Sequence, residues 1–237
     1  MKSIIGNGLI KCIAFLLLQA TALGSCTEIS KKNEECARAH FTIDPLDRKI
    51  VLPVLFNDSI IANLVFDSGA SLGAFIVDST FCSVHPSILS NLSPDTIAPY
   101  GCAWSVSRMP ASMYTIVPTI KVGNANLIYD KMLVYNLRDY MGGTQLDGVF
   151  NIPQNDTVNI WEFNFEHHYM AIHSFQDFIM PENCILIPFV RGNDKSSLFY
   201  VNLPLNIRCA DGDTLMLTHT YLVDTGMPQD IALRSEE

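Results

Sequence analysis

Apolar residues in this chain occur in short runs that are separated by turn-forming residues. Residues 49–56 and 60–66 form two such runs, with a polar turn at residues 57–59 between them. Further runs occupy residues 74–77, 146–152 and 160–165. Short apolar or alternating runs bounded by turn residues are typical of β-strands. We therefore predict a mostly β chain, with one helix over residues 81–92.

The strand–turn–strand pattern of residues 49–66 occurs a second time near the end of the sequence. Residues 199–207 resemble residues 49–55, and each segment contains a proline. Each is followed by a polar turn and then by an apolar strand that ends at an acid, Asp67 in the first copy and Asp224 in the second. A pattern that returns within one chain indicates a repeated structural unit. We therefore predict that the two acids occupy equivalent positions.

Each acid begins a tripeptide of acid, hydroxyl residue and glycine, namely Asp67-Ser68-Gly69 and Asp224-Thr225-Gly226. Glycine lets two loops approach without a Cβ collision, and a hydroxyl can bond across a symmetric site. Two carboxylates about 3 Å apart cannot both ionise, so such a pair shares one proton and can activate water. The sequence therefore predicts a catalytic pair of Asp67 and Asp224, supported by the residues that follow them.

Residues 1–25 predict an export signal. Lys2 and Lys11 precede an apolar core that ends in small residues and is too short for a spanning helix. The sequence Leu23-Gly24-Ser25-Cys26 resembles a bacterial lipobox, so we predict lipidation of Cys26 and a polar tether over residues 26–44. The alternative is an ordinary cleaved signal with an incidental cysteine. We expect a bacterial cell-envelope protein, anchored to a membrane and facing the periplasm or the exterior, or otherwise secreted or periplasmic.

Charge and cysteine spacing exclude other classes of function. The formal net charge is −9 and there is no basic stripe, which argues against a nucleic-acid partner. The seven cysteines show no Cys-x-x-Cys or Cys/His spacing. The adjacent His167 and His168 point to opposite faces of a strand and are unsuited to sharing a metal. We predict no metal and no cofactor, and we favour buried free thiols over disulfides.

Both acid motifs resemble the active-site motifs of aspartic proteases of the retropepsin and pepsin group, and the closest likeness is to bacterial retropepsin-like lipoproteins. Residues 146–150 (Leu-Asp-Gly-Val-Phe) are similar to the later apolar-glycine segment of that family, and residues 162–172 resemble its closing hairpin. The resemblance implies a retropepsin-like closed β-barrel lobe over residues 45–174, followed by the beginning of a second similar lobe over residues 185–237. It implies an aspartic endopeptidase with peptide or protein substrates.

The resemblance also implies a flap, a β-hairpin that covers the catalytic acids, within residues 100–113. Tyr100 and Trp104 are its candidates for contact with substrate. The alternative for both aromatic residues is an ordinary core position.

The chain departs from the family pattern at two points. Asn151 stands where a second glycine is usual, although asparagine tolerates left-handed backbone better than most residues. Only residues 225–237 follow Asp224, so we expect an incomplete second lobe without its own flap, apolar-glycine segment or closing hairpin. Three explanations fit: a truncated chain, extra strands added to the first lobe, or a site completed by another chain. A homodimer that pairs Asp67 with its own copy is one form of the third.

Three functions compete on these features. The first is an aspartic endopeptidase that is exported and lipid-anchored. The second is a catalytically inactive, lipid-anchored peptide-binding or envelope-scaffold protein that keeps the β lobe. The short C-terminal segment favours this second function, as does Met227-Pro228, where small residues are expected. The third is a β protein whose acid turns are incidental, and the repeat argues against it.

Overall fold

The strand that precedes Asp67 lies inside a large sheet and has hydrogen-bonded neighbours on both sides. In the computed structural model the described residues are 16–17, 37–70, 75–90, 92–100, 109–140, 146–156, 159–191, 198–208 and 211–226. Strands make up 49% of the structure and helices 7%, so the predicted mostly β class is confirmed.

The strands follow one another with few helices between them. In chain order they are β1 (Leu16–Leu17), β2 (Ala37–His40), β3 (Thr42–Ile43), β4 (Ile50–Phe56), β5 (Ile60–Phe66), β6 (Phe75–Asp78), β7 (Thr96–Tyr100), β8 (Met109–Tyr114), β9 (Ile120–Val122), β10 (Ala125–Leu127), β11 (Met132–Tyr135), β12 (Gly148–Phe150), β13 (Asn159–Asn164), β14 (Tyr169–Ser174), β15 (Phe189–Arg191), β16 (Phe199–Arg208) and β17 (Thr214–Leu222). The helices are α1 (Ser79–Val84), a 3-10 turn (Pro86–Ile88) and α2 (Leu137–Tyr140).

The predicted single helix over residues 81–92 is shorter and divided in the structure. Helix α1 begins earlier than predicted because the Asp78 side chain accepts hydrogen bonds from the Thr80 and Phe81 amides and caps it. It ends before His85, since the residue that precedes a proline is disfavoured in helical geometry. Pro86 then starts the 3-10 turn.

The large sheet has the strand order β10-β9-β4-β5-β12-β6-β11-β8-β7, with β3 paired to β4. Strand β12 lies between β5, to which it is parallel, and β6, to which it is antiparallel. Phe150 at the end of β12 pairs with Phe66 at the end of β5. Asn151 and Asp67, which follow these two strands, therefore lie next to each other.

The predicted closed barrel is wrong for the part of the chain that the structure describes. The large sheet ends at β10 on one side and at β7 on the other, and no described strand joins these edges. A second sheet, ordered β1-β13-β14-β2, packs against it instead. Trp161 and Phe163 of β13 contact the Phe66 ring, with centroids 6.1 and 4.6 Å away. One apolar face of the large sheet is thus buried by a hairpin and not by closure.

Part of the predicted signal segment lies in this second sheet. Strand β1 pairs in parallel with Glu162 and Phe163 at the free edge of β13. Cleavage after residue 25 and the division into a tether and two lobes remain predictions.

A third sheet contains the second acid motif. It consists of β15, β16 and β17, and the long β16–β17 hairpin precedes Asp224 as the β4–β5 hairpin precedes Asp67. Pro53 and Pro204 both lie in the first strand of their hairpin, so the predicted strand–turn–strand repeat is confirmed. Phe199 anchors the third sheet to the main core, where it is 1% exposed.

Two cysteines in the described part of the chain are free thiols, the buried Cys82 and the half-buried Cys184. This agrees with the expectation of free thiols at these two positions, while the other cysteines lie outside the described residues. Burial raises the pKa of the Cys82 thiol to about 12. No helix among the described residues is both long and apolar enough to cross a membrane.

Candidate active site

The structure brings the two acid motifs together, although they are far apart in sequence. Asp67 follows β5, and its amide donates to the Phe150 carbonyl on β12 at 2.9 Å. On the other side the Val223 amide donates to the Phe199 carbonyl at 2.9 Å, which ties the residue before Asp224 to the main core. Both acids are therefore held where an apolar strand ends.

Four hydrogen bonds join the two loops through their hydroxyl groups. The Ser68 hydroxyl donates to the Val223 carbonyl at 2.7 Å and accepts from the Thr225 amide at 3.0 Å. The Thr225 hydroxyl donates to the Phe66 carbonyl at 3.1 Å and accepts from the Ser68 amide at 3.0 Å. Each hydroxyl thus bonds to two backbone groups of the opposite loop. This reciprocal arrangement is the cross-site bonding that the sequence predicted for Ser68 and Thr225.

The two glycines let each loop lie against the carboxyl group of the other. A Cβ atom on Gly69 would lie within 2.5 Å of both Asp224 carboxylate oxygens. A Cβ atom on Gly226 would lie 2.5 Å from both Asp67 carboxylate oxygens. Real Cβ atoms essentially never approach other atoms so closely, so a side chain at either position would force the loops apart.

Each carboxylate is also held by its own loop. The Gly69 amide donates to Asp67 Oδ1 at 2.8 Å, and the Gly226 amide donates to Asp224 Oδ1 at 3.0 Å. These Asx-type bonds fix one oxygen of each acid. The two carboxyl groups also interact with each other, since both the charge of Asp224 and its side-chain hydrogen bond raise the pKa of Asp67.

The electrostatics of the pair favour retention of a proton. The pKa of Asp67 rises from its ordinary value of 3.8 to about 7. Burial is the largest cause, and the negative charge of Asp224 is the second; the Gly69 amide acts in the opposite direction by stabilising the ionised form. Below about pH 7 the Asp67 carboxyl therefore keeps a proton, and because it interacts with Asp224 this proton belongs to the pair.

Asn151 is a member of the site that the sequence did not identify as functional. Its side-chain amide donates to the Ser68 carbonyl at 3.2 Å and to the Ala70 carbonyl at 3.0 Å. It is fully buried, and the Tyr129 hydroxyl donates to its backbone carbonyl at 2.6 Å. The available signal was an asparagine at a position where the resemblance leads one to expect glycine, but only the pairing of β12 with β5 shows where the amide lies.

Three other predicted residues, Tyr100, Trp104 and Cys26, lie partly or wholly outside the described residues. Tyr100 is the last residue of β7, which pairs with β8 as a hairpin within the large sheet. The predicted flap stays a prediction, because the side chain of Tyr100 and the whole of Trp104 lie outside the described residues. Cys26 lies outside them as well, so its lipidation stays a prediction.

Among the described residues no group of three or more histidine, cysteine or acidic side chains is arranged to hold a metal ion. The groups that meet in the site are two carboxyl groups and the backbone amides beside them.

No protein-family model matches the chain, and no curated protein matches it in sequence.

Proposed function

We propose that this protein is an aspartic endopeptidase of the retropepsin and pepsin type, exported and anchored to a bacterial membrane through Cys26. One observation carries the proposal: the loops that carry Asp67 and Asp224 are joined by four reciprocal hydrogen bonds of Ser68 and Thr225. An incidental pair of acid turns has no reason to form this symmetric set of bonds. Two half-buried carboxyl groups that interact this closely are also unfavourable for stability at neutral pH, which points to a functional role.

The proposed reaction uses the single proton of the pair. The ionised carboxylate takes a proton from a water molecule as the water oxygen attacks the peptide carbonyl carbon, and the neutral carboxyl donates its proton to the carbonyl oxygen. One carboxyl then protonates the amide nitrogen, the C–N bond breaks, and the tetrahedral intermediate returns a proton to the pair. The amine and the carboxylic acid leave, and the acids end with one proton as they began.

A pair within one chain is preferred to a pair formed by two copies of Asp67. Asp67 already has a carboxyl neighbour in Asp224, and the Gly226 backbone lies against its carboxylate. A second copy of Asp67 would have to displace this loop and break its bonds to Ser68. The homodimer remains as an outcome that the experiment distinguishes.

The test is cleavage of a peptide library by the purified protein between pH 3 and pH 8. We expect cleavage that Asp67→Asn and Asp224→Asn each abolish, while Asp177→Asn, which neutralises an exposed carboxylate, leaves it intact. Loss of cleavage in Asp67→Asn alone would favour the homodimer. A folded wild-type protein that cleaves nothing would refute the peptidase and favour the noncatalytic peptide-binding or scaffold protein.

The pH profile gives a second check on the same proposal. Because the pair must keep one proton and the pKa of Asp67 is raised to about 7, activity should be present below pH 7 and fall as the pH rises through it. Activity that instead increases steadily from pH 7 to pH 9 would be inconsistent with a two-carboxyl mechanism.

A further inference from the structure

We infer that Asn151 is a positioning residue for the Asp67 carboxylate, acting through the peptide unit that joins Ser68 and Gly69. This inference rests on the proposed function, since it concerns how the catalytic pair is tuned. It assigns a role to a residue that stands where the resemblance leads one to expect a glycine.

The first step of the argument is the position of the Asn151 amide. Its two carbonyl partners, on Ser68 and Ala70, lie on either side of Gly69. The Ser68 carbonyl belongs to the same peptide unit as the Gly69 amide, which donates to Asp67 Oδ1 at 2.8 Å. A single planar peptide unit is therefore held at its oxygen by Asn151 and at its nitrogen by Asp67.

The second step is the direction of the Asn151 side chain. Its Oδ1 atom accepts a hydrogen bond from the Ile152 amide at 2.7 Å. A backbone amide can only donate, so this contact requires the oxygen of the side-chain amide at that position and directs the NH₂ group toward the two carbonyls.

The third step is electrostatic. A peptide carbonyl that accepts a hydrogen bond polarises its own N–H group and strengthens the bond that this N–H donates. The Gly69 bond stabilises the ionised form of Asp67 and lowers the pKa of that acid against the effects of burial and Asp224. Loss of the Asn151 amide should therefore weaken this bond and raise the pKa of the pair still further.

Loss of the Asn151 amide also has a geometric consequence, which is separate from the change in the pKa of the pair. Without the amide, the peptide unit before Gly69 can rotate, and the Asp67 carboxylate loses its fixed orientation toward Asp224. A misplacement of about 1 Å at a reacting group can lower a rate roughly a hundredfold. Substrate contacts distant from this loop are unchanged, so kcat should fall far more than KM rises.

The experiment compares Asn151→Gly, which removes the amide and restores the residue usual in the family, with Asn151→Ser, which keeps one short donor. For Asn151→Gly we expect kcat to fall between tenfold and about a hundredfold and the alkaline limb of the pH profile to move up by about half a pH unit. Asn151→Ser should lie between this variant and the wild type. Circular dichroism and thermal unfolding establish that each variant is folded.

Tyr129→Phe is the matched control, because it removes a buried hydrogen bond to the same residue without removing the side-chain amide. We expect a lower thermal unfolding temperature and an unchanged alkaline limb. An equal shift of the limb in Tyr129→Phe and Asn151→Gly would overturn the inference, since general loosening would then explain both. An unshifted limb with unchanged kcat in Asn151→Gly would overturn it as well.

A measurement without substrate separates this inference from the proposed function. Carboxyl-carbon NMR titration of the purified protein follows the apparent pKa of the Asp67 and Asp224 pair directly. If the wild type cleaves no peptide, the proposed function fails, yet the titration still decides whether Asn151→Gly raises that pKa. If the wild type cleaves and the titration of Asn151→Gly matches that of the wild type, only the role of Asn151 is refuted.

Discussion

The Asp67 carboxyl should make the protein less stable as the pH rises from about 4 to about 7. Its pKa is 3.8 in ordinary surroundings and about 7 in the fold. Over this range the folded state binds more protons than the unfolded state, so the free energy of unfolding falls with pH. A difference of about 3 pKa units corresponds to a loss of about 4 kcal/mol, complete once the pH exceeds 7.

Asp67→Asn removes this pH-dependent loss in the free energy of unfolding while keeping the shape of the side chain. The amide is neutral at every pH, its oxygen still accepts from Gly69, and its NH₂ group can donate to Asp224. Near pH 4 the variant should be about as stable as the wild type, in which the pair holds its proton. At pH 8 we expect the variant to be the more stable by about 2–4 kcal/mol, because the wild type then contains two adjacent, half-buried negative charges.

Urea unfolding at pH 4.5, 6, 7 and 8, followed by tryptophan fluorescence, measures these free energies. Trp161 is a suitable reporter because it is 2% exposed in the main core. Asp177→Asn serves as the control, since it removes one exposed negative charge and should run parallel to the wild type at all four pH values. The reasoning is refuted if the difference between Asp67→Asn and the wild type is the same at pH 4.5 and pH 8.

Three further changes test the packing around the acids. Gly226→Ala places a Cβ atom against the Asp67 carboxylate, so it should separate the loops, abolish cleavage and lower the thermal unfolding temperature. Thr225→Val leaves the Ser68 amide and a backbone carbonyl without their partner, which should cost about 2–4 kcal/mol in urea unfolding and reduce kcat. Asp78→Ala removes the carboxylate that accepts from the first turn of α1 and from two amides of α2, and should cost about 2–4 kcal/mol with little change in KM.

Controls for these variants lie elsewhere in the chain. Gly212→Ala introduces a Cβ atom with no neighbour within 4 Å, at a φ of +93°, so it incurs backbone strain without a collision. It should lower stability slightly and leave cleavage unchanged. If Gly226→Ala also lowers stability only slightly and leaves cleavage unchanged, the claim that the two loops approach closely is wrong. For Thr225→Val, a free-energy loss no larger than that of an exposed Thr218→Val would contradict the hydrogen-bond argument.

The parts of the site that the sequence predicted are those encoded locally. The two hairpins and the acids at their ends follow from a repeated strand–turn–strand pattern, which needs no information about distant contacts. The roles of Ser68 and Thr225 also follow, because the chemistry of a symmetric pair of loops leaves few other partners for their hydroxyls. The break before Pro86 was present in the sequence, and the single-helix prediction gave too little weight to that proline.

The parts that were missed depend on long-range strand pairing. Whether a sheet closes depends on which edges pair, and apolar runs of similar length do not specify this. The same pattern of apolar runs is satisfied when the β13–β14 hairpin buries one apolar face and when the sheet closes into a barrel. Asn151 was missed for a related reason: its amide reaches the Asp67 loop only because β12 pairs in parallel with β5 and ends in register with it.

The third sheet depends on the two loops that carry Asp67 and Asp224 for much of its attachment to the rest of the structure. Most described residues of the β16–β17 hairpin are exposed or half-buried, and Phe199 is its deeply buried contact with the main core. Burial of one such ring contributes about 2–3 kcal/mol, and each of the four hydroxyl bonds between the loops about 1 kcal/mol. Repulsion within an acid pair that has lost its proton is of comparable size. The attachment of this hairpin should therefore weaken above pH 7, so loss of the shared proton would affect both the proposed chemistry and the assembly of the site.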